Sequence, residues 1–123
     1  MGLNIWQASL TKESYSCWQH LFSRENSFIR PTNTVDINMP IFSQSALKKC
    51  LESFNITYAA WGIEVAWVHL LNNEKIAVID LINATHTRPL RSENKIMPNG
   101  LTPQQEVNLI FNYYNIRHPN CFY

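Results

Sequence analysis

The chain has 123 residues, 46% hydrophobic and 12% aromatic, which predicts one folded domain over residues 1–123 and excludes a disordered chain. The formal net charge is +1 and the charges are scattered, so we expect no nucleic-acid partner. No apolar run has transmembrane length and the start lacks a signal-peptide pattern, which favours a cytoplasmic location.

The first third of the chain predicts a strand, a helix and a second strand. Residues 3–10 form a short apolar segment that suggests an irregular strand, and Thr11 is placed to cap a helix over the residues that follow. Residues 34–39 alternate apolar and polar side chains, which predicts a half-buried strand with Asp36 on its polar side. Asp36 is then either a solvated strand residue or part of a site.

Two helices are predicted in the middle of the chain. Ser43 or Ser45 caps the first, whose apolar stripe is Leu47, Cys50, Leu51 and Phe54. The second, residues 63–71, follows a Trp61–Gly62 turn and is apolar nearly all round. Glu64 in its first turn is either an acid favoured by the helix dipole or a functional carboxylate in a cleft. His69 is expected to be a hydrogen-bonded core histidine.

The last part of the chain predicts a strand and a final helix, which completes an α/β pattern. Asn72–Asn73 supplies a left-handed helix stop, and residues 76–82 form the most regular strand. A polar loop over residues 91–100 follows. Thr102, Pro103 and Gln105 then give the cap, first-turn proline and capping box of a helix. Its buried stripe is Val107, Ile110, Phe111 and Tyr114.

Four short motifs in order carry a resemblance to a known family. They are Trp61-Gly62-Ile63-Glu64, Val78-Ile79-Asp80, His86-Thr87-Arg88-Pro89 and, upstream, residues 35–43 with the sequence VDINMPIFS. Together they resemble the C-terminal half of a glycosyltransferase-like family of the A-type fold, a domain of unknown function in bacteria and plants. The resemblance covers residues 2–116 and rests on the order and spacing of the motifs.

The resemblance implies a small mixed sheet packed by three to four helices, and transfer of sugar from a nucleotide-sugar to a glycan or other hydroxyl acceptor. Glu64 would be the general base, and His86 would be a ligand of Mn²⁺ or Mg²⁺. Trp61, Gly62, Asp36 and Arg88 would contact substrate, with Trp61 stacking on a sugar and Arg88 near the diphosphate.

Departures from the family pattern limit what the chain is expected to do alone. The family's Asp-x-Asp pair, which holds the metal in the nucleotide-binding half, has no counterpart here, so we expect an acceptor-side half with weak or no activity by itself. Glu64 also replaces the usual Asp, and Ala60 stands where the family often has Gly. A complementing N-terminal half would restore the fold.

Two alternatives stay open. The first is a non-catalytic interaction module or truncated gene product, whose exposed apolar sheet edge or face would favour homo-oligomers. The second is a small zinc protein built on Cys17, His20, His118 and Cys121. Against it, three cysteines without a Cys-x-x-Cys motif favour free thiols in a reducing compartment.

Overall fold

The computed structural model describes residues 2–89 and 95–117 as a four-stranded mixed sheet with three α-helices. The strands are β1 (Ile5–Leu10), β2 (Ile29–Pro31), β3 (Ile41–Phe42) and β4 (Ile76–Ala84). The helices are α1 (Gln44–Cys50), α2 (Ile63–Leu70) and α3 (Pro103–Tyr113), with single 3₁₀ segments at Gln19–Leu21 and Leu51–Asn55. This confirms the α/β prediction. None of the helices in these residues has the length and apolar character of a membrane span.

The parallel pair β1 and β4 forms the centre of the sheet, in the strand order β2-β4-β1-β3. Ile5 lies opposite Ile76 and Leu10 opposite Ala84, with a register shift after Ala8. The two short edge strands run antiparallel to their neighbours. Because of the shift, Ser9 and Leu10 are both buried although they are adjacent in the chain.

The inner face of the sheet carries the hydrophobic core. Ile5, Gln7 and Ser9 alternate along β1 and are all fully buried. The larger cluster of buried residues contains Ile5, Val35, Ala46, Cys50, Ile63, Ala66, Trp67, Leu71, Ile76, Val107, Ile110 and Phe111. A smaller cluster contains Leu10, Trp18, Leu21 and Val78. All three helices therefore pack against the same side of the central strands.

The outer face is also apolar. Strand register places Ile41, Trp6, Ala77 and Pro31 in one row, and Ala8, Ile79 and Ile29 in the next. Of the described residues in the two core clusters, none belongs to these rows. Ile41 is 50% exposed and Ile29 is 44% exposed, whereas Ala77 is buried. We call these seven residues the outer face.

Helix boundaries follow the predicted caps. The Ser43 hydroxyl accepts a hydrogen bond from the Ala46 N–H at 3.2 Å, which identifies Ser43 as the cap of α1. Thr102 and Gln105 form the predicted capping box of α3. Asn72 and Asn73 both have positive φ angles and end α2, as predicted.

The predicted helix after Thr11 is wrong. Only the 3₁₀ turn at Gln19–Leu21 forms there, and the rest of the segment is a loop. The Thr11 hydroxyl bonds to the Thr85 hydroxyl at 2.9 Å, and the Thr11 N–H donates to the Ala84 carbonyl at 2.9 Å. These contacts extend the pairing of β1 with β4 and compete with helix formation.

Three further expectations are corrected. Residues 34–39 form a loop and not a strand, and Asp36 is buried there because its backbone bonds to a side chain of β1. In the predicted stripe of α1, Leu47, Leu51 and Phe54 are exposed, because the helix turns Ala46, Cys50 and Ser53 towards the core instead, at spacings i, i+4 and i+7. His69 lies on the exposed side of α2 and not in the core.

Candidate functional site

The candidate site begins with the turn that starts α2. Ala60 and Gly62 both have positive φ angles, of 60° and 81°. A Cβ on Gly62 would approach the Phe111 side chain to 3.2 Å. Glycine therefore lets the turn both adopt its left-handed geometry and pack against α3. As a result Glu64 lies in the first turn of α2, pointing into the fold.

Glu64 is the most unusual side chain of the described structure. Only 1% of the residue is exposed, and its Oε2 atom has no hydrogen-bond partner among the described residues. Burial is the main cause that raises its pKa to about 8, and the nearby negative charge of Asp36 raises it further. Backbone hydrogen bonds from Glu64 itself and from Gly62 act in the opposite direction. The carboxyl is therefore mostly protonated at neutral pH.

Asp36 is brought to Glu64 by a loop that is fastened to the central strand. The Gln7 Oε1 atom accepts the Asp36 N–H at 2.5 Å, while the Gln7 amide nitrogen donates to the Ala8 carbonyl at 3.0 Å. The Asp36 carboxylate accepts the Asn38 backbone N–H at 2.9 Å and the Asn38 side-chain amide at 2.5 Å. Thus Asp36, Glu64 and Gln7 form a buried polar cluster.

The role of Gln7 was missed in the sequence. The signal was present, because strict alternation from Ile5 to Ser9 puts Gln7 on the same face as Ile5, where an amide must find partners. The acid, imidazole and guanidinium groups of the four motifs are ionisable, whereas Gln7, which fixes the Asp36 loop, is neutral.

Trp61 and Gly62 lie beside Glu64 but belong partly to the core. Trp61 is half-buried and packs against the larger core cluster. Gly62 is buried against α3. Because Glu64 is itself covered, a substrate reaching its carboxyl would require the turn or the Asp36 loop to move.

His86 and Arg88 are not brought to this cluster. The His86 N–H donates to the Ser14 hydroxyl at 3.0 Å, and the His86 Nδ1 atom contacts the Tyr15 carbonyl oxygen. Both contacts lie past the end of β4. The last residue of β4, Ala84, pairs with Leu10 of β1, which is three residues beyond Gln7 and therefore about 10 Å further along the strand. Arg88 is exposed. The six predicted site residues therefore separate into a Glu64 group and a His86 group.

The described residues do not fit the implied metal. Within residues 2–89 and 95–117, no three His, Cys, Asp or Glu side chains lie together so that they could hold a metal ion. Two scattered ligands such as His86 and Asp36 do not meet the coordination number of Mn²⁺ or Mg²⁺. For the zinc alternative, Cys17 lies in the loop after β1, and His118 and Cys121 lie outside the described residues.

Two other buried carboxylates provide a comparison for Glu64. Asp80 accepts an ion-paired hydrogen bond from Arg30 at 2.8 Å. Burial would raise the pKa of Asp80, but the hydrogen bonds that it accepts, with that of Arg30 the strongest, hold it below its ordinary value. Glu106 accepts the Tyr58 and Ala59 N–H groups at 2.9 and 2.6 Å. Both carboxylates therefore have a donor on each of their two oxygens, whereas Oε2 of Glu64 has none among the described residues.

Comparison of the chain with known protein families, with curated proteins and with solved structures finds no match. The functional argument for this chain therefore rests on its own residues, above all on the buried pair Asp36 and Glu64.

Proposed function

We propose that this chain is the acceptor-side half of a glycosyltransferase-like domain of the A-type fold, with Glu64 as the general base for an acceptor hydroxyl. One observation carries the proposal: Glu64 is buried beside Asp36 and keeps an unpartnered oxygen at the start of a helix. Buried polar atoms are normally paired, and exceptions are concentrated at functional sites.

The proton affinity of Glu64 suits this role. A base works best when its pKa lies near the pH of the reaction, and burial together with Asp36 raises that of Glu64 to about 8. In this proposal the sugar ring of the acceptor stacks on the adjacent Trp61, which is half-buried. The acceptor would enter between Trp61 and the Asp36 loop.

The same geometry supports weak or absent activity of the chain by itself. Glu64 is covered, and the described residues supply no metal site. A second polypeptide would have to bind the nucleotide-sugar, provide the remaining ligands for Mn²⁺ or Mg²⁺, and hold the Glu64 region open. Arg88 and His86, on the exposed loop after β4, would face that polypeptide.

The test is acceptor binding, because it does not require turnover. Backbone amide NMR spectra would be recorded during titration with a panel of neutral mono- and oligosaccharides. We expect saturable shifts at Trp61, Glu64 and Asp36 for at least one sugar, and a Trp61→Ala variant should lose them. A Phe28→Ala variant, which removes an exposed aromatic elsewhere, is the control. Shifts absent across the panel, or unchanged in Trp61→Ala, would refute acceptor binding here.

Turnover is measured separately with common nucleotide-sugars, with and without Mn²⁺, by following release of the nucleoside diphosphate. We expect no release above background from the isolated chain. Release that disappears in a Glu64→Gln variant would keep the base assignment but overturn the expected inactivity.

A second candidate function is a non-catalytic interaction module that associates with a second copy of itself. The apolar outer face favours it, because such a face next to short edge strands is an association surface. The net charge of +1 adds little repulsion between copies. Light scattering should show concentration-dependent dimers that Ile41→Lys abolishes and Leu109→Lys, on α3, does not. A monomer at all concentrations would exclude this candidate.

A further inference from the structure

A groove on the side of β2 and the start of β4 is separate from the Glu64 cluster. Its volume is about 780 Å³, within the range of small-molecule sites. Among the described residues that line it, none is acidic, whereas four carry basic side chains. These four are His20, Arg24, Arg30 and Lys75. An excess of basic groups in a concave surface favours an anionic ligand.

The charge that is free for a ligand comes from two of these residues. Arg30 is already committed, because it pairs with Asp80 and donates to the Phe22 carbonyl at 2.6 Å. Arg24 and Lys75 are exposed, and neither forms an ion pair with another described residue. Their two charges can therefore turn towards an anion in the groove at little cost.

The surroundings of His20 indicate a positive electrostatic potential inside the groove. Its Nε2 atom is buried without a hydrogen-bond partner among the described residues. Burial lowers the pKa of His20, and the positive charges of Arg30 and then Arg24 lower it further. The same field that disfavours a protonated imidazole favours a bound anion.

The rest of the lining consists of an apolar wall that includes Leu3, Ile29 and Ala77, and of three neutral polar residues, Thr32, Asn33 and Asn73. We propose that this groove binds a small organic anion in which an apolar ring lies beside a phosphate or carboxylate group. The ring would pack on the apolar wall while Arg24 and Lys75 bind the anionic group. This inference does not rest on the proposed sugar-transfer function.

The experiment uses four probes: phenyl phosphate, benzoate, inorganic phosphate and benzyl alcohol. Amide NMR titrations should show saturable shifts at Lys75 and Ala77. We expect at least one of the two ring-bearing anions to bind about tenfold more tightly than both inorganic phosphate and benzyl alcohol. Only a ring-bearing anion can contact the apolar wall and the basic side chains at the same time. The ratio of the dissociation constants of phenyl phosphate and benzoate identifies the preferred anionic group. Equal binding of benzyl alcohol would overturn the proposal.

Variants and the His20 titration complete the test. Arg24→Ala and Lys75→Ala should each weaken binding of the more tightly bound anion by about tenfold. Lys48→Ala on α1 makes the same charge change and should leave this binding unchanged. Binding should also raise the His20 pKa, because coupling between two sites is reciprocal. Equal losses in all three variants, or an unmoved His20 pKa, would show that the anion does not bind in the groove.

Discussion

Replacing Glu64 with glutamine should make the protein more stable at alkaline pH. The folded-state pKa of Glu64 is raised from an ordinary 4.5 to about 8 by burial and by Asp36. A group with a raised folded pKa contributes stability that is fully present below its unfolded pKa and is lost as pH rises through the folded value. The wild-type free energy of unfolding should therefore fall between about pH 4.5 and pH 8.

The size of this fall follows from the shift. At about 1.4 kcal/mol per pKa unit, a rise from 4.5 to about 8 corresponds to an upper bound of roughly 5 kcal/mol. Water penetration and local opening reduce the penalty of a buried charge, so we expect about 2–4 kcal/mol. Glutamine has nearly the same shape and no charge, and its unfolding free energy should remain flat over the same interval, apart from other titrating groups.

Urea unfolding at half-unit pH steps from 5 to about 9 measures the effect, with fluorescence of the buried Trp67 as the signal. Other ionisable groups contribute equally to both proteins, so the difference between wild type and Glu64→Gln isolates this carboxyl. Glu74→Gln, at an exposed acid in the connection between α2 and β4, is the matched control and should follow the wild-type curve. Wild-type and Glu64→Gln curves that run parallel at all pH values would refute the assigned pKa.

Three further substitutions test the surrounding structure by the same urea assay. Gly62→Ala should cost about 1–3 kcal/mol, because its φ of 81° strains an L-residue and the added methyl contacts α3; an unchanged midpoint would contradict the turn geometry. Glu106→Ala should cost about 2–4 kcal/mol because two backbone donors lose their acceptor, whereas Glu106→Gln should cost less. Arg30→Met should cost about 3–5 kcal/mol at pH 7 by leaving Asp80 buried and unpaired, and this loss should shrink in acid as Asp80 becomes protonated.

Local signals in the sequence predicted the regular elements well. The capping box at Thr102 and the paired asparagines after α2 act within one turn of chain, so their outcome depends little on distant residues. The apolar run that became β4 was similarly clear. These elements form because each short stretch already favours its final conformation.

Predictions failed where distant contacts decide the conformation. Thr11 could cap a helix through its hydroxyl, yet that hydroxyl bonds to the Thr85 hydroxyl, 74 residues away in the chain. Residues 34–39 alternate like a strand, but the Asp36 N–H is taken by the Gln7 side chain. The periodicity of apolar residues does not predict which backbone groups will form hydrogen bonds with side chains that are distant in the sequence.

Four carboxyls of the described structure, those of Asp36, Glu64, Asp80 and Glu106, are buried, and they differ in how their oxygens are paired. Asp80 and Glu106 each collect several donors, so their charges stabilise the positions of neighbouring segments. Glu64 keeps an oxygen without a partner and lies beside another acid, and its ionisation should lower the stability of the folded protein as pH rises. A glutamine would fill the same space without that cost, so packing alone does not explain why the position carries an ionisable acid. A pKa raised towards the pH of the reaction is the property that the base role proposed for Glu64 would use.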